Sequence, residues 1–203
     1  MGSRDTARVT GSDLRAFVLR FLVVATVLGL VVVGGATTLA SGVLPLFKTE
    51  LAVLDDTFRI DALYVDQDGA DQVFRINVGL ARTVSLNGRT FRPDPRGRAT
   101  ASTLVGHLTL PCVLLIASAF AWPVRSRRQL ALRLLLLLPG LLLLCLLGVP
   151  FILWAALWGL VVQVADPHGF SLLLTYGDFL QGGGHFAIAL ALGLYVGTRT
   201  AAA

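Results

Sequence analysis

Four long runs of this 203-residue chain contain no Asp, Glu, Lys or Arg: residues 21–47, 99–124, 134–165 and 179–198. Charged residues make up only 14% of the whole, and mean hydropathy is +0.76. A soluble domain of this size needs more polar surface than that to cover its core, so the composition excludes an ordinary water-soluble fold. Cysteine is nearly absent too. The two that occur, Cys112 and Cys145, fall inside apolar runs, so no disulfide framework is available and both read as small buried side chains. Several catalytic signatures are missing: there is no Gly-rich phosphate loop ending in Lys-Ser or Lys-Thr, no HExxH and no CxxC. No carboxylate lies within an apolar run, which argues against proton-coupled transport through this chain alone.

What is present fits a lipid solvent. A spanning helix takes roughly 20 apolar residues to cross about 30 Å of hydrocarbon. The expected fold is therefore membrane α-helical, with four transmembrane helices and a small β-rich extracytoplasmic domain between the first and second. The segments read as a basic N-terminus over 1–20, a first helix over 21–47, the β-rich domain over 48–98, and a second helix over 99–124. A basic link over 125–133 follows, then a third helix over 134–165, an outer loop over 166–183 with an amphipathic stretch, a fourth helix over 184–198, and a tail over 199–203. The first run is longer than the apolar core of a secretory signal, so it reads as an uncleaved anchor.

Charge sets the orientation. Arg4, Arg8, Arg15 and Arg20 precede the first run, Arg125, Arg127, Arg128 and Arg133 fill the link, and Arg199 follows the last run. Those segments hold nine basic and two acidic residues, whereas the rest holds eight basic and ten acidic. The positive-inside rule then puts both termini in the cytoplasm, in what would be a bacterial inner membrane. No basic, aromatic-interleaved patch is left for nucleic acid. The expected partners are the bilayer and other membrane or envelope proteins, and no cofactor is expected.

Within 48–98, Phe74, Ile76, Val78 and Leu80 alternate with polar or small residues, as do Phe58, Ile60 and Ala62, which predicts two half-buried strands. The run Asp66-Gln67-Asp68-Gly69-Ala70-Asp71 between them predicts a turn. It fails the EF-hand calcium pattern, because Ala70, Asp71 and Asn77 stand where a ligand, a glycine and a glutamate are required. Asn87-Gly88 predicts a second, tight hairpin. The third apolar run, at 32 residues, would reach about 48 Å as one helix. A kink at Pro150 is expected, with Trp154 and Trp158 as interfacial anchors. The rival is a re-entrant hairpin turning at Gly148-Val149-Pro150, which would put Arg199 outside.

The candidate site residues are few. His185, Ala189, Gly193 and Gly197 recur every four residues, which stacks one polar and three small side chains on one helix face suited to close packing or to a partner interface. His107, His168, His185 and Asp178 all fall toward the outer side and are the candidates for a metal or redox site, although their spacing does not bring them together. Gly182-Gly183-Gly184 predicts a break before the last helix.

The arginine-led first span, the short outer strand domain and the closing Phe179-Leu180-Gln181-Gly182-Gly183-Gly184 resemble, in layout, the small multi-pass proteins associated with exosortases, which are bacterial membrane transpeptidases. That resemblance implies a non-enzymatic accessory or scaffold subunit of a cell-envelope complex linked to protein sorting. The transpeptidase itself is a poorer match, since Cys112 sits within a span and no spanning arginine faces it. The competing expectation is a membrane enzyme or redox subunit using His107, His168 and His185.

Overall fold

The computed structural model describes residues 11–167 and 169–201, with side chains from Leu14 onward. His168, Arg4, Arg8 and the end of the 199–203 tail lie outside the described residues. The order of elements is α1 (Gly11–Leu54), β1 (Phe58–Asp68), β2 (Asp71–Leu80), β3 (Val84–Leu86), β4 (Arg89–Phe91), β5 (Ala99–Leu104), α2 (Gly106–Phe120), α3 (Arg127–Leu147), α4 (Val149–Ala165), α5 (Leu172–Phe179), a π turn (Leu180–Gly184) and α6 (His185–Ala201). Three helical stretches are long and apolar enough to cross a membrane: Leu14–Leu54, Arg127–Ala165 and Leu172–Ala201. The chain is thus a helical protein of membrane-spanning type carrying a small sheet.

The first helix is far longer than the expected 21–47. It runs for 44 residues, about 66 Å, through Pro45 and into the segment read as the start of the β-rich domain. Nothing between Phe47 and Leu54 breaks it: Lys48, Thr49 and Glu50 are compatible with helix, and Phe47 and Leu51 bury their side chains against the sheet. The strands then fold back along it. Gln72 Nε2 donates to Thr37 Oγ1 at 2.7 Å, which ties the turn end of the β1–β2 hairpin to the middle of α1.

The hairpins form where the turn chemistry asks for them. Asp68 pairs with Asp71 around Gly69-Ala70, with Gly69 at φ +63°, so the turn is tighter than the six-residue run suggested. Asn87 (φ +51°) and Gly88 (φ +78°) make the two-residue turn of β3–β4. Phe74, Ile76 and Val78 are fully buried, as the alternation in β2 predicts.

Residues 99–104 are a correction. They are not the beginning of the second helix but a third strand, β5, antiparallel to β2 with Phe74 opposite Thr103 and Ile76 opposite Ala101. Ala101 and Thr103 face inward while Thr100 and Ser102 face out. A test for charge alone cannot see this strand end, because Thr and Ser carry none. The helix starts at Gly106 and stops at Phe120, so α2 has 15 residues, or about 22 Å.

The third run divides in two at Gly148 (φ −100°, ψ −101°), two residues before the expected Pro150 kink, and Pro150 serves as a starter residue of α4 instead. Pro139 stays within α3. Ser126 caps α3 by accepting from the Gln129 amide, so Arg127, Arg128 and Arg133 belong to the helix and not to a link.

Contacts fix how the helices run. Arg133 bonds Thr200 and Leu144 bonds His185, so α3 and α6 are antiparallel. Gly193 meets Ser118 and Gly197 meets Trp122, so α2 and α6 run the same way. Phe17 of α1 stacks edge-on against Trp122, closing the same end of the bundle. At the other end, Val149, Leu153 and Leu157 of α4 pack with Phe74, Ile76 and Val78 of the sheet.

Candidate functional site

The His185 face of α6 is where the sequence-selected residues gather. His185, Ala189, Gly193 and Gly197 are all buried. At Gly193 a β-carbon would run into Ser118 Oγ and the Leu115 carbonyl, and at Gly197 into the indole of Trp122. The i, i+4 spacing therefore lays two glycines directly on α2, where the backbone of α6 comes within side-chain thickness of it. Ser118 turns its hydroxyl back to Leu114 O at 2.6 Å, which leaves a smooth surface for Gly193. The face is occupied by a helix of the same chain.

At the top of this face two helix breaks stand level with one another. The α3–α4 break at Gly148 faces the α5–α6 break at the π turn, where Gly183 takes φ +106°, a value only glycine adopts readily. His185 sits in the gap. Its Nε2 is 3.3 Å from Leu144 O, so Nε2 carries the hydrogen and the ring satisfies one of the carbonyls freed by the end of α3. Tyr176 OH donates to Leu147 O at 3.1 Å and satisfies another. Gly177 admits the Ala155 side chain, letting α5 lie close along α4, and Gly184 in the π turn makes room for the Phe179 ring.

The metal candidates come only partly together. The backbone of His107 lies beside the His185 ring, while the His107 imidazole bonds Thr103 Oγ1 through Nδ1 at 2.7 Å. Asp178 is exposed on α5, and His168 lies outside the described residues. Among the described residues no three His, Cys, Asp or Glu side chains converge as a metal site would require. Cys112 and Cys145 are free thiols that pack together across α2 and α3.

Sequence reasoning missed one polar hub. Asp55, just past α1, accepts from Trp154 Nε1 at 2.9 Å, from Trp158 Nε1 at 2.6 Å and from the Thr57 amide at 2.7 Å. Burial pushes its carboxyl up, but the donors from Thr57, Trp154 and Trp158 outweigh burial and hold it below the usual carboxylate range. Arg82 closes one side, bonding Thr57 Oγ1 at 3.1 Å and pairing with Asp56 at 2.8 Å. The hub floors an open cleft of about 630 Å³ between the end of α1, the loop before β3 and α4. The one-turn spacing of Trp154 and Trp158 was the available signal, but it points equally to interfacial anchoring.

No protein-family model matches this chain, and neither a curated protein nor a solved structure is similar to it.

Proposed function

We propose that this chain is a non-enzymatic accessory or scaffold subunit of a bacterial cell-envelope complex, crossing the inner membrane four times with both termini in the cytoplasm. The observation that carries this reading is the bareness of α1. Over its first two-thirds, Leu19, Leu22, Val27, Leu30 and Val33 stand exposed, Val33 at 83%, and no described side chain of α1 before Ala40 is buried, whereas α2, α3 and α6 each bury one face. A helix that packs on α2 along one side and leaves the rest of its apolar surface uncovered by its own chain is free to face lipid on one side and a neighbouring subunit on another. Exposed Phe170 and Leu172 at the start of α5, above the helix breaks, give a second apolar surface at the level of the strand domain.

The four crossings are α1, α2, α3 and α6. The charged turn end of the β1–β2 hairpin sits beside Thr37, so hydrocarbon reaching beyond that point would have to bury Asp66, Asp68 and Asp71. The upper part of α1, the sheet, α4 and α5 then form an outer domain. By layout, the partner is an exosortase-type transpeptidase. The metal or redox reading has less support, because among the described residues His107, His185 and Asp178 do not converge with a third ligand on one point.

Two measurements test this. In a variant with Cys112 and Cys145 replaced by alanine, a cysteine at Ser85 should react with a membrane-impermeant maleimide in intact cells and one at Arg127 should not; reversed labelling would refute the topology. A photo-crosslinking residue at Val33 should give a discrete adduct with one envelope protein, whereas one at buried Leu115 should not. Adducts with lipid alone from both Val33 and Phe170 would remove the scaffold reading.

A further inference from the structure

Arg133 has no exposed surface, the only lysine or arginine among the described residues so deeply buried. Its Nε donates to Thr200 Oγ1 at 2.9 Å and its Nη1 to the Trp122 carbonyl at 2.8 Å, and its guanidinium lies 5.6 Å from the centre of the Phe120 ring. Neither acceptor is charged, and among the described residues Nη2 has no partner. The ion pairs found among the described residues belong to Arg59, Arg75 and Arg82, so no carboxylate among the described residues pairs with this buried cation. Trp122, the residue to which Arg133 is bonded, has an orphan of its own: Nε1 is buried and has no acceptor among the described residues. Two adjoining residues thus hold donors in search of an acceptor, one of them fully charged. Burying an uncompensated charge is among the costliest arrangements a fold can hold, and an acceptor that is itself anionic removes the cost.

The setting identifies the acceptor. Arg125, Arg127 and Arg128 are exposed at this same end of the bundle, and the Arg199 guanidinium lies 5.4 Å from the Tyr195 ring centre. Leu130, Leu134 and Leu135, around Arg133 on α3, are exposed and apolar. An anion with oxygen acceptors, a basic rim to meet it and an apolar wall for attached chains together describe a phospholipid headgroup. We propose that Arg133 and Trp122 form a site for the phosphate of an anionic phospholipid of the cytoplasmic leaflet, with phosphate oxygens accepting from Arg133 Nη2 and Trp122 Nε1. Entry is beside α1, where Phe17 packs on Trp122 at 5.5 Å between ring centres and has to swing aside. The planar guanidinium fork suits a phosphate better than an ammonium does.

The same chemistry is offered by free phosphate, and the test separates the two sources. The full chain is reconstituted into nanodiscs of phosphatidylcholine alone, of phosphatidylcholine mixed with phosphatidylglycerol, and of phosphatidylcholine with inorganic phosphate added. The wild type should melt about 2 °C or more higher with phosphatidylglycerol than with either other preparation. Native mass spectrometry should show retained phosphatidylglycerol. Both effects should be lost in Arg133→Gln and weakened in Trp122→Phe, yet survive Arg127→Gln, which removes only an exposed rim charge. If Arg133→Gln does not fold, Trp122→Phe and the lipid retained by the wild type decide the matter. Equal melting in all three preparations, or a response lost in Arg127→Gln but intact in Trp122→Phe, would overturn the proposal. A rise produced equally by inorganic phosphate would reassign the site from lipid to a soluble anion.

Discussion

Gly148 lies flat against the imidazole of His185: a β-carbon on Gly148 would overlap ring atoms Cε1 and Nε2 and press on Leu144 O. The break in one broken helix is therefore fitted to a side chain from the start of another. Gly148→Ala should destabilise the protein by about 1 to 3 kcal/mol through overpacking, seen as a lower melting temperature in detergent. His185→Ala alone removes a hydrogen bond typically worth about 0.6 kcal/mol in a membrane interior and should be tolerated. The double variant Gly148→Ala/His185→Ala should recover part of the loss, since the ring clash is gone and only the Leu144 carbonyl remains. Strict additivity of the two effects would show that glycine and ring do not touch.

Lower on α6, Gly193→Leu would place a branched side chain where Ser118 Oγ and the Leu115 carbonyl already stand. Because the neighbour is α2 of the same chain, the expected result is a poorly folded or degraded protein and not a stable monomer released from its partners. Gly193→Ala should be milder, and more so in the Ser118→Gly background, where the hydroxyl is gone. Pulse-chase turnover and detergent gel filtration distinguish the outcomes. A stable Gly193→Leu monomer would mean that this face closes only in a complex.

How much of this was legible in the sequence varied with the physics behind each signal. Alternation in β2 and the Asn87-Gly88 turn report local backbone geometry, and both the strand and the turn form where expected. The triple glycine marks a true break, since Gly183 at φ +106° needs it. The end of the sheet was hidden because Thr100, Ala101, Ser102 and Thr103 carry no charge and merge with α2, although the β-branched Thr100 and Thr103 were a readable cue. The burial of Arg133 could not be read, because four arginines close in sequence look alike until α3 begins at Arg127 and turns one of them inward. The Asp55 hub joins residues about a hundred positions apart, and no local pattern encodes it.

Calcium should have no effect on the strand domain. Asp66 and Asp68 are both paired with Arg75, at 3.1 and 3.3 Å, so the carboxylates that would ligate a cation already face one. Replacing Asp66, Asp68 and Asp71 together by asparagine should change stability by no more than about 1 kcal/mol per surface pair, with no dependence on added calcium. A calcium-induced rise in the melting temperature of the wild type, absent from the triple variant, would contradict this.

Asp55 gives the junction of α1, the strands and α4 its expected pH dependence. Its carboxyl is held below the usual range because Thr57, Trp154 and Trp158 donate to the ionised form more effectively than burial opposes it. A carboxyl depressed in the folded state contributes stability above the unfolded value of about 3.9, and that contribution is lost as pH falls through the lower folded value. Asp55→Asn keeps one carbonyl acceptor but loses the charge, and hydrogen bonds to a charged group are worth roughly 1.5 to 3 kcal/mol. The variant should therefore melt below the wild type at neutral pH, and the gap should narrow below about pH 4, where the wild-type carboxylate begins to protonate. Comparing the two proteins cancels the titration of the other carboxylates. Tryptophan fluorescence supplies a local readout, since two of the three indoles in the chain donate to this one side chain. A gap that stays constant with pH, or widens in acid, would mean that Asp55 does not fasten α1 to α4 as an anion.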